Sequence, residues 1–530
     1  IKKLYLDAYK QETSASTESY PMANNILDNY IKQGVLMINY MGHGSAIGWA
    51  NEKLLTTAKI KSMINDKYPI FVTATCDFSA FDQFTESGGE QLIWNKTGGT
   101  MALITTTRTV YASGNAELNR HLSANLFLKD AKDAPLTIGE ILRRAKNQQT
   151  GSDNKFAFTL LGDPSLRLLY PYEAKVVTDS INHKSVKDSQ DTLSALSEVT
   201  VSGHIETIYG NKINGYNGVL NVSVFDKLEQ VKTLANDKGS TPFEYQDRPN
   251  MIFRGAAAVE DGKWSFKFLV PKDIKYNFGT GRIVYYASEN DLGMEANGSF
   301  ENFVVGGENP NPQADSEGPQ VSLFMNSHSF REGQKVNRSP LFIADLYDES
   351  GINTSGNGIG HDIVLKHRRD DKNEVILNDY YVSNLGDYKS GRVEYQLNNL
   401  EKGRYTLWFR VWDLQNNPTV KEISFEVSDD VAINADVMAY PNPATDFVKF
   451  VVEHDRPYKG LDIKIRVFDI VGRLVWQSPK TKAATSNRTE IEWNFASEGM
   501  SVQKGIYLVQ LEISVAGEPS ICKPIKLIIN

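Results

Sequence analysis

Cysteine is almost absent from this 530-residue chain, which has only Cys76 and Cys522. Two thiols that far apart exclude a disulfide-stapled scaffold, although not an oxidising compartment. There is no uninterrupted apolar run of about 18 residues, the length a membrane-spanning helix needs, and mean hydropathy is −0.38. Membrane association is therefore expected only through a partner. A dense basic stripe is also missing; net charge is −8 and the pI is near 5.7, so no nucleic-acid partner is expected. No His/Cys cluster has zinc-ligand spacing, and no Gly-rich loop follows a strand at phosphate-binding spacing. Neither a metal nor a nucleotide cofactor is expected. Heptads and low-complexity tracts are absent as well. The chain opens at Ile1 without an apolar signal segment and reads as a processed or truncated product.

What is present is an ordinary globular composition, 41% apolar and 23% charged, with a length suited to three to five domains of about 100–200 residues. Residues 1–171 hold 18 basic and 16 acidic residues, leaving 39 basic against 49 acidic in the remainder, or −10. The pattern changes near the same place. Up to Tyr170, apolar runs at Gly34–Tyr40, Pro69–Thr75 and Gly99–Thr105 alternate with helical stretches at 22–31, 57–65, 90–95, 115–128 and 137–148. Short strands alternating with helices predict right-handed βαβ units and a sheet covered on both faces. After Pro171 only two-residue periodicity remains. The expected fold class is an α/β domain followed by three all-β sandwiches, with boundaries at 1–171, 172–306, 315–428 and 436–530. The polar, Pro-rich stretch Gly306–Pro319 is the predicted linker between the first two sandwiches.

Chemistry concentrates at two strand ends. In an open parallel sheet, ligands bind beyond the carboxyl ends of the strands. The first strand runs into Met41-Gly42-His43-Gly44-Ser45 and the second into Thr75-Cys76-Asp77-Phe78. One helix separates them, so the strands are expected to be neighbours with His43 and Cys76 on one rim. A thiol needs a nearby base or cation to become a good nucleophile, and imidazole serves that role and protonation of the leaving group. The Gly44 and Cys76 N–H groups are the expected oxyanion donors. Taken singly, Cys76 reads as a small core residue and His43 as a turn residue; together they read as a catalytic pair. Arg108 and Tyr111, in the rim segment Thr105–Asn115, are candidate contacts for an anionic acceptor or a substrate carboxylate, with a solvated loop charge as the plain alternative. Cys522 reads as structural. The loop Asp348–Asp362 is rich in oxygen ligands, a composition compatible with structural Ca²⁺, but it lacks EF-hand spacing and the terminal Glu; a solvated loop is the expectation.

The segments Asn39-Tyr40-Met41-Gly42-His43-Gly44, Ala74-Thr75-Cys76-Asp77-Phe78, Gly98-Gly99-Thr100-Met101-Ala102 and Leu161-Gly162-Asp163-Pro164-Ser165-Leu166 resemble the gingipain family of caspase-like cysteine peptidases. The resemblance implies a His43–Cys76 dyad and an oxyanion hole at Gly44 and Cys76. It also implies strands before the histidine strand and an acidic partner for the histidine on that earlier part. Little chain precedes Gly34, and its available acids are Asp7 and Glu12. Residues 1–171 are therefore expected to be the C-terminal half of a caspase-like domain, with the N-terminal half on a second chain or fragment.

A second resemblance covers 436–530. Ala439-Tyr440-Pro441-Asn442-Pro443-Ala444, Val467-Phe468-Asp469-Ile470-Val471-Gly472-Arg473, Trp493-Asn494, Gly505-Ile506-Tyr507-Leu508-Val509 and Lys526-Leu527-Ile528 are similar to the C-terminal signal domain of type IX secretion. Its fold is expected to be a sandwich, like the two Ig-like β domains before it. Together the resemblances imply a peripheral surface peptidase of a Gram-negative outer membrane. Its implied partners are the signal domains of secreted cargo, a lipopolysaccharide amine acceptor, and a PorV-like β-barrel docked by residues 436–530. The sequence runs through its own signal domain, which favours a sortase that removes such tags over a cargo that loses its own. The alternatives are a secreted gingipain-like endopeptidase and a non-catalytic surface adhesion module.

Overall fold

Strands that are largely apolar must be covered on both faces, and the two inner strands of the first 170 residues are built that way, whereas the first strand leaves Asn39 and Met41 exposed. Met37–Met41 (β1), Ile70–Ala74 (β2), Ala102–Thr106 (β3) and Phe158–Leu161 (β4) form one sheet in that order. Strands β1, β2 and β3 are parallel and β4 is antiparallel to β3. Every residue of β2 and β3 is buried, as doubly covered parallel strands require. The helices are Pro21–Gln33 (α1), Thr57–Lys61 (α2), Gly88–Trp94 (α3), Ala112–Asn125 (α4) and Ile138–Gln148 (α5). Successive strand residues face opposite sides. Phe71 and Leu103 pack with Leu27 and Ile31 of α1, Ile60 of α2 and Leu92 of α3. Val72 and Ile104 pack with Leu118 and Leu122 of α4 and Ile141 and Leu142 of α5. Each such side chain, fully buried, contributes about 1.5–3 kcal/mol of transfer free energy. Helix starts are set locally: Ser87 and Glu90 form a capping box on α3, and Thr137 caps α5.

The computed structural model describes the chain except residues 14–17, 66, 290–292, 355–359, 368–373, 430, 432, 457–460, 480, 484–487, 496–501 and 516–520, and except the side chains of 481–483, 515, 521 and 522. The Cys522 thiol thus lies outside the described residues. Contacts divide the chain into two units, Ile1–Tyr172 with Gln230–Gln246, and Glu173–Glu229 with Asp247–Asn530. Residues 230–246, sequence-wise inside the first β region, therefore belong to the α/β unit. Asp7 is central to holding them there, with Lys3, Tyr5, Tyr9 and Gln11 also in contact. Its carboxylate accepts the N–H groups of Ala235 and Asn236 at 2.9 and 2.8 Å, and its carbonyl accepts Leu234 N–H at 2.7 Å.

The second unit is all-β. In its first region the main eight-stranded sheet bends back on itself: Ala174–Ile181, next to one edge, also pairs in parallel with Glu295–Phe300 at the other. A three-stranded sheet of Asp191–Ala195, Phe303–Glu308 and Gly279–Thr280 shares its core through Leu193, Phe303 and Val305, so the region has two sheets, as the expected sandwich does, with the larger one closed. In the second region a four-stranded and a five-stranded sheet share one core, in which Phe342, Ala344 and Val393 meet Leu407, Phe409 and Phe425. In the last region Val448, Phe450 and Trp493 of one sheet pack against Ile463, Ile465, Val509 and Leu511 of the other. Both are two-layer sandwiches.

The linker read at Gly306–Pro319 is held along its length. Asn309 donates to the Leu196 carbonyl at 3.0 Å, Ser350 Oγ donates to Asp315, and Asn417 donates to the Asp315 carbonyl at 3.1 Å. The loop beginning at Asp348, expected to be solvated, is instead buried at Asp348, Ser350 and Asn353; residues 355–359 of it lie outside the described residues. Asp315, Asp348 and Asp413 converge there with carboxylate oxygens within 4.8 Å of one another. Burial, helped by the two neighbouring carboxylates, pushes Asp348 up to about 7. The chain supplies its own donors to this group: the N–H groups of Ser350 and Gly351 to Asp348, and those of Gln415 and Asn417 to Asp413.

Candidate active site

Strand register brings the two sequence-predicted residues to one rim. Met41 pairs with Ala74 at the ends of β1 and β2. His43 and Cys76 each lie two residues beyond that pair. The turn after β1 is tied to β2 by the Gly42 N–H, which donates to the Ala74 carbonyl at 3.4 Å. Gly44 packs so closely on the residue before Cys76 that a Cβ there would lie 2.4 Å from Thr75 Oγ1. Only glycine fits, because real Cβ contacts do not approach that distance.

The histidine backbone is fixed from below. The Tyr40 hydroxyl donates to the His43 carbonyl at 2.6 Å, and the Tyr40 ring stacks on Trp49 with centroids 4.3 Å apart. Burial holds the Tyr40 phenol well above its ordinary range, so it stays protonated as a donor. The Ala50 N–H donates to the same carbonyl at 2.9 Å, which makes Gly44 and Trp49 the non-hydrogen-bonded pair of their short ribbon. The Gly44 N–H consequently points away from Trp49, on the outer side of a strand that ends its three-stranded sheet. The imidazole of His43 is exposed.

Cys76 is partly exposed, and its thiol donates to the Val110 carbonyl at 3.6 Å. Buried hydroxyls, which sequence reasoning passed over, shape the strand end beneath it. Thr73 Oγ1 donates to Thr105 Oγ1 at 2.8 Å, Ser79 Oγ lies 2.9 Å from the same atom, and the Thr106 hydroxyl donates to the Thr75 carbonyl. The repeated threonines at 73, 75, 105 and 106 were the available signal. Asp77 adopts φ +55°, which turns the chain sharply after the cysteine, and its carboxylate accepts the Thr109 hydroxyl at 3.1 Å.

The other expected rim residues are placed differently. Arg108 is committed to a bidentate pair with Asp82, Nη1 to Oδ1 at 3.1 Å and Nη2 to Oδ2 at 2.6 Å. The guanidinium's hydrogen bonds hold the Asp82 carboxyl below its usual range. Tyr111 exposes 80% of its surface, while its backbone is clamped in both directions by the Asn154 side chain at 3.2 and 2.7 Å. Ile47, Phe81 and Phe84 are exposed on the loops that follow His43 and Cys76. Those two loops touch, since Gly88 N–H donates to the Ala46 carbonyl at 2.6 Å. Neither available acid serves the histidine. Asp7 is spent on residues 234–236, Glu12 sits on an exposed two-residue strand, and among the described residues no carboxylate pairs with the His43 imidazole.

Residues 1–169 match the family described as Peptidase family C25, and residues 438–522 match the secretion system C-terminal sorting domain. The two matched segments lie towards either end of the chain, with β-rich regions between them. It is similar to dimeric latent PorU from Porphyromonas gingivalis, at 31% identity over 82% of this chain and 41% of that one, with a TM-score of 0.35. It also aligns with the Arg-specific cysteine proteinase gingipain R, at 18% identity over 55% of this chain and 57% of that one, with a TM-score of 0.26. No curated protein matches. The chain spans less than half the length of the PorU it matches.

Proposed function

We propose that this chain is the C-terminal part of a cell-surface cysteine endopeptidase with sortase activity, acting on the signal domains of type IX cargo. The observation that carries the reading is the matched offset of His43 and Cys76 from the paired ends of β1 and β2, with Gly44 packed on Thr75. In this mechanism the Cys76 sulfur, its proton passed to His43, attacks the scissile carbonyl. The C–S bond forms while the oxyanion takes hydrogen bonds from the Gly44 and Cys76 N–H groups. His43 then gives the proton to the departing amine, the C–N bond breaks, and the cargo's signal domain leaves. The remaining thioester is opened either by water or by an amine. An amino group of a lipopolysaccharide acceptor would fix cargo to the surface, and the enzyme's own terminal domain would dock on a PorV-like outer-membrane barrel. The N-terminal half of the caspase-like domain, on another chain or fragment, would supply the acidic partner of His43. The first two β regions would act as Ig-like spacers between the site and that terminal anchor.

Capture by an amine rather than water needs a positioned nucleophile and restricted water. With a tagged cargo and a glycine peptide in excess, the released cargo should divide between free carboxylate and amide. The amide share should rise with peptide concentration, as mass spectrometry of the new C-terminus will show. Carboxylate alone at every concentration would reduce the activity to that of a plain endopeptidase.

A further inference from the structure

The loop after β3, residues 107–111, is tied at every residue, and most of its ties run to the turn that carries Cys76. The Asp77 N–H donates to the Arg108 carbonyl at 3.4 Å. The Thr109 hydroxyl donates to the Asp77 carboxylate at 3.1 Å, and the Cys76 thiol donates to the Val110 carbonyl at 3.6 Å. The ends of the loop are anchored elsewhere. Thr107 N–H donates to the Ala157 carbonyl at 2.9 Å, and Asn154, 5% exposed, clamps the Tyr111 backbone. Between those anchors the Arg108 guanidinium grips Asp82, on the loop that follows Cys76, with Nη1 and Nη2 at 3.1 and 2.6 Å. This tie is forked and charge-assisted, whereas the other three are single bonds, one of them to a thiol, so it is the strongest of the four.

An exposed ion pair adds little to global stability, but it can decide where a loop lies. Here the loop carries the carbonyl on which the nucleophile's thiol rests. The backbone after that thiol also needs support, since Asp77 holds φ +55°, a conformation that side-chain-bearing residues keep when their surroundings fix it. Arg108 Nη1 donates to the Thr107 carbonyl as well, at 2.6 Å, which leaves little of the guanidinium for a substrate. We infer that Arg108 and Asp82 are positioning residues, which strap residues 107–111 onto the nucleophile turn and so fix the direction of the Cys76 sulfur. The effect on rate rests on the peptidase function proposed above; the strap itself does not.

Four variants of the full-length protein test it: Arg108→Ala, Asp82→Ala, both together, and Arg108→Lys. Misplacing a reacting group slows the chemical step rather than binding, so each alanine variant should lower kcat on tagged cargo about 10- to 100-fold, with KM changed less than about twofold. The double variant should be no slower than either single one, because both remove the same strap. Arg108→Lys, which keeps the charge but not the fork, should fall between wild type and Arg108→Ala. A substrate contact at Arg108 would instead raise KM in Arg108→Ala and lower it in Asp82→Ala, which frees the guanidinium; that pattern, or an unchanged kcat in Asp82→Ala, would overturn the inference. Hydrogen exchange with mass spectrometry reads the strap without any substrate. Fragments containing the Asp77 N–H should exchange severalfold faster in both alanine variants, and unchanged exchange would also overturn it. Faster exchange in these variants, together with a wild type that cleaves no tagged cargo, would leave the strap standing and remove the peptidase reading.

Discussion

Cys76→Ala should leave no measurable release of signal domains from cargo while the protein stays folded. The side chain sits at a partly exposed rim, and its one described hydrogen bond is the weak one to the Val110 carbonyl. Removing its sulfur should therefore cost about 1 kcal/mol of stability or less. Without the sulfur there is no covalent step, and the oxyanion donors alone do not cleave a peptide at a useful rate. His43→Ala should lower kcat/KM by about 10²–10⁴-fold, the range for losing a positioned acid–base group. Both variants should keep the wild-type thermal transition, because the turn holding residue 43 depends on Tyr40, Ala50 and Gly44 rather than on the imidazole. Cleavage of tagged cargo, followed by gel and mass spectrometry, measures both. Normal cleavage by Cys76→Ala would remove the catalytic assignment altogether.

The second large effect lies in the sorting domain. Trp493 is fully buried, stacked on Trp476 at 5.0 Å and edge-on to Phe495 at 4.6 Å. Trp493→Ala should destabilise that domain by about 3–5 kcal/mol, through lost transfer energy and a cavity that the paired sheets cannot close. Urea unfolding followed by Trp476 fluorescence should show a correspondingly lower midpoint, with the α/β unit unaffected. A shift worth less than about 1 kcal/mol would mean that the core relaxes around the loss, and that the two sheets are not held by this stack.

The central sheet was legible because its first three strands are short, mostly apolar or β-branched runs set between helical stretches. Gly34–Tyr40, Pro69–Thr75 and Gly99–Thr105 overlap the observed β1, β2 and β3, and the five helices lie within a few residues of their predicted places. From two adjacent parallel strands, the shared rim of His43 and Cys76 follows directly. Strand β4 was missed, since four residues after a short helical turn carry too little periodicity to stand out. Long-range polar pairing was also illegible. Arg108 is met by Asp82, 26 residues away, and Asp7 by residues 235 and 236, more than 220 residues away. Nothing local marks such partners, so both charges read as free in the sequence. Burial of Asp348, Ser350 and Asn353 was hidden for a related reason: their composition is that of a solvated loop, and only the folded chain supplies the donors and packing that remove them from water.

The dyad itself is tested most directly by the reactivity of Cys76. A neighbouring imidazole activates a thiol as a nucleophile. Alkylation of Cys76 by iodoacetamide in the full-length protein at one fixed neutral pH, followed by mass spectrometry, should be faster in wild type than in His43→Ala. Equal rates in the two proteins would contradict the pairing of His43 with Cys76.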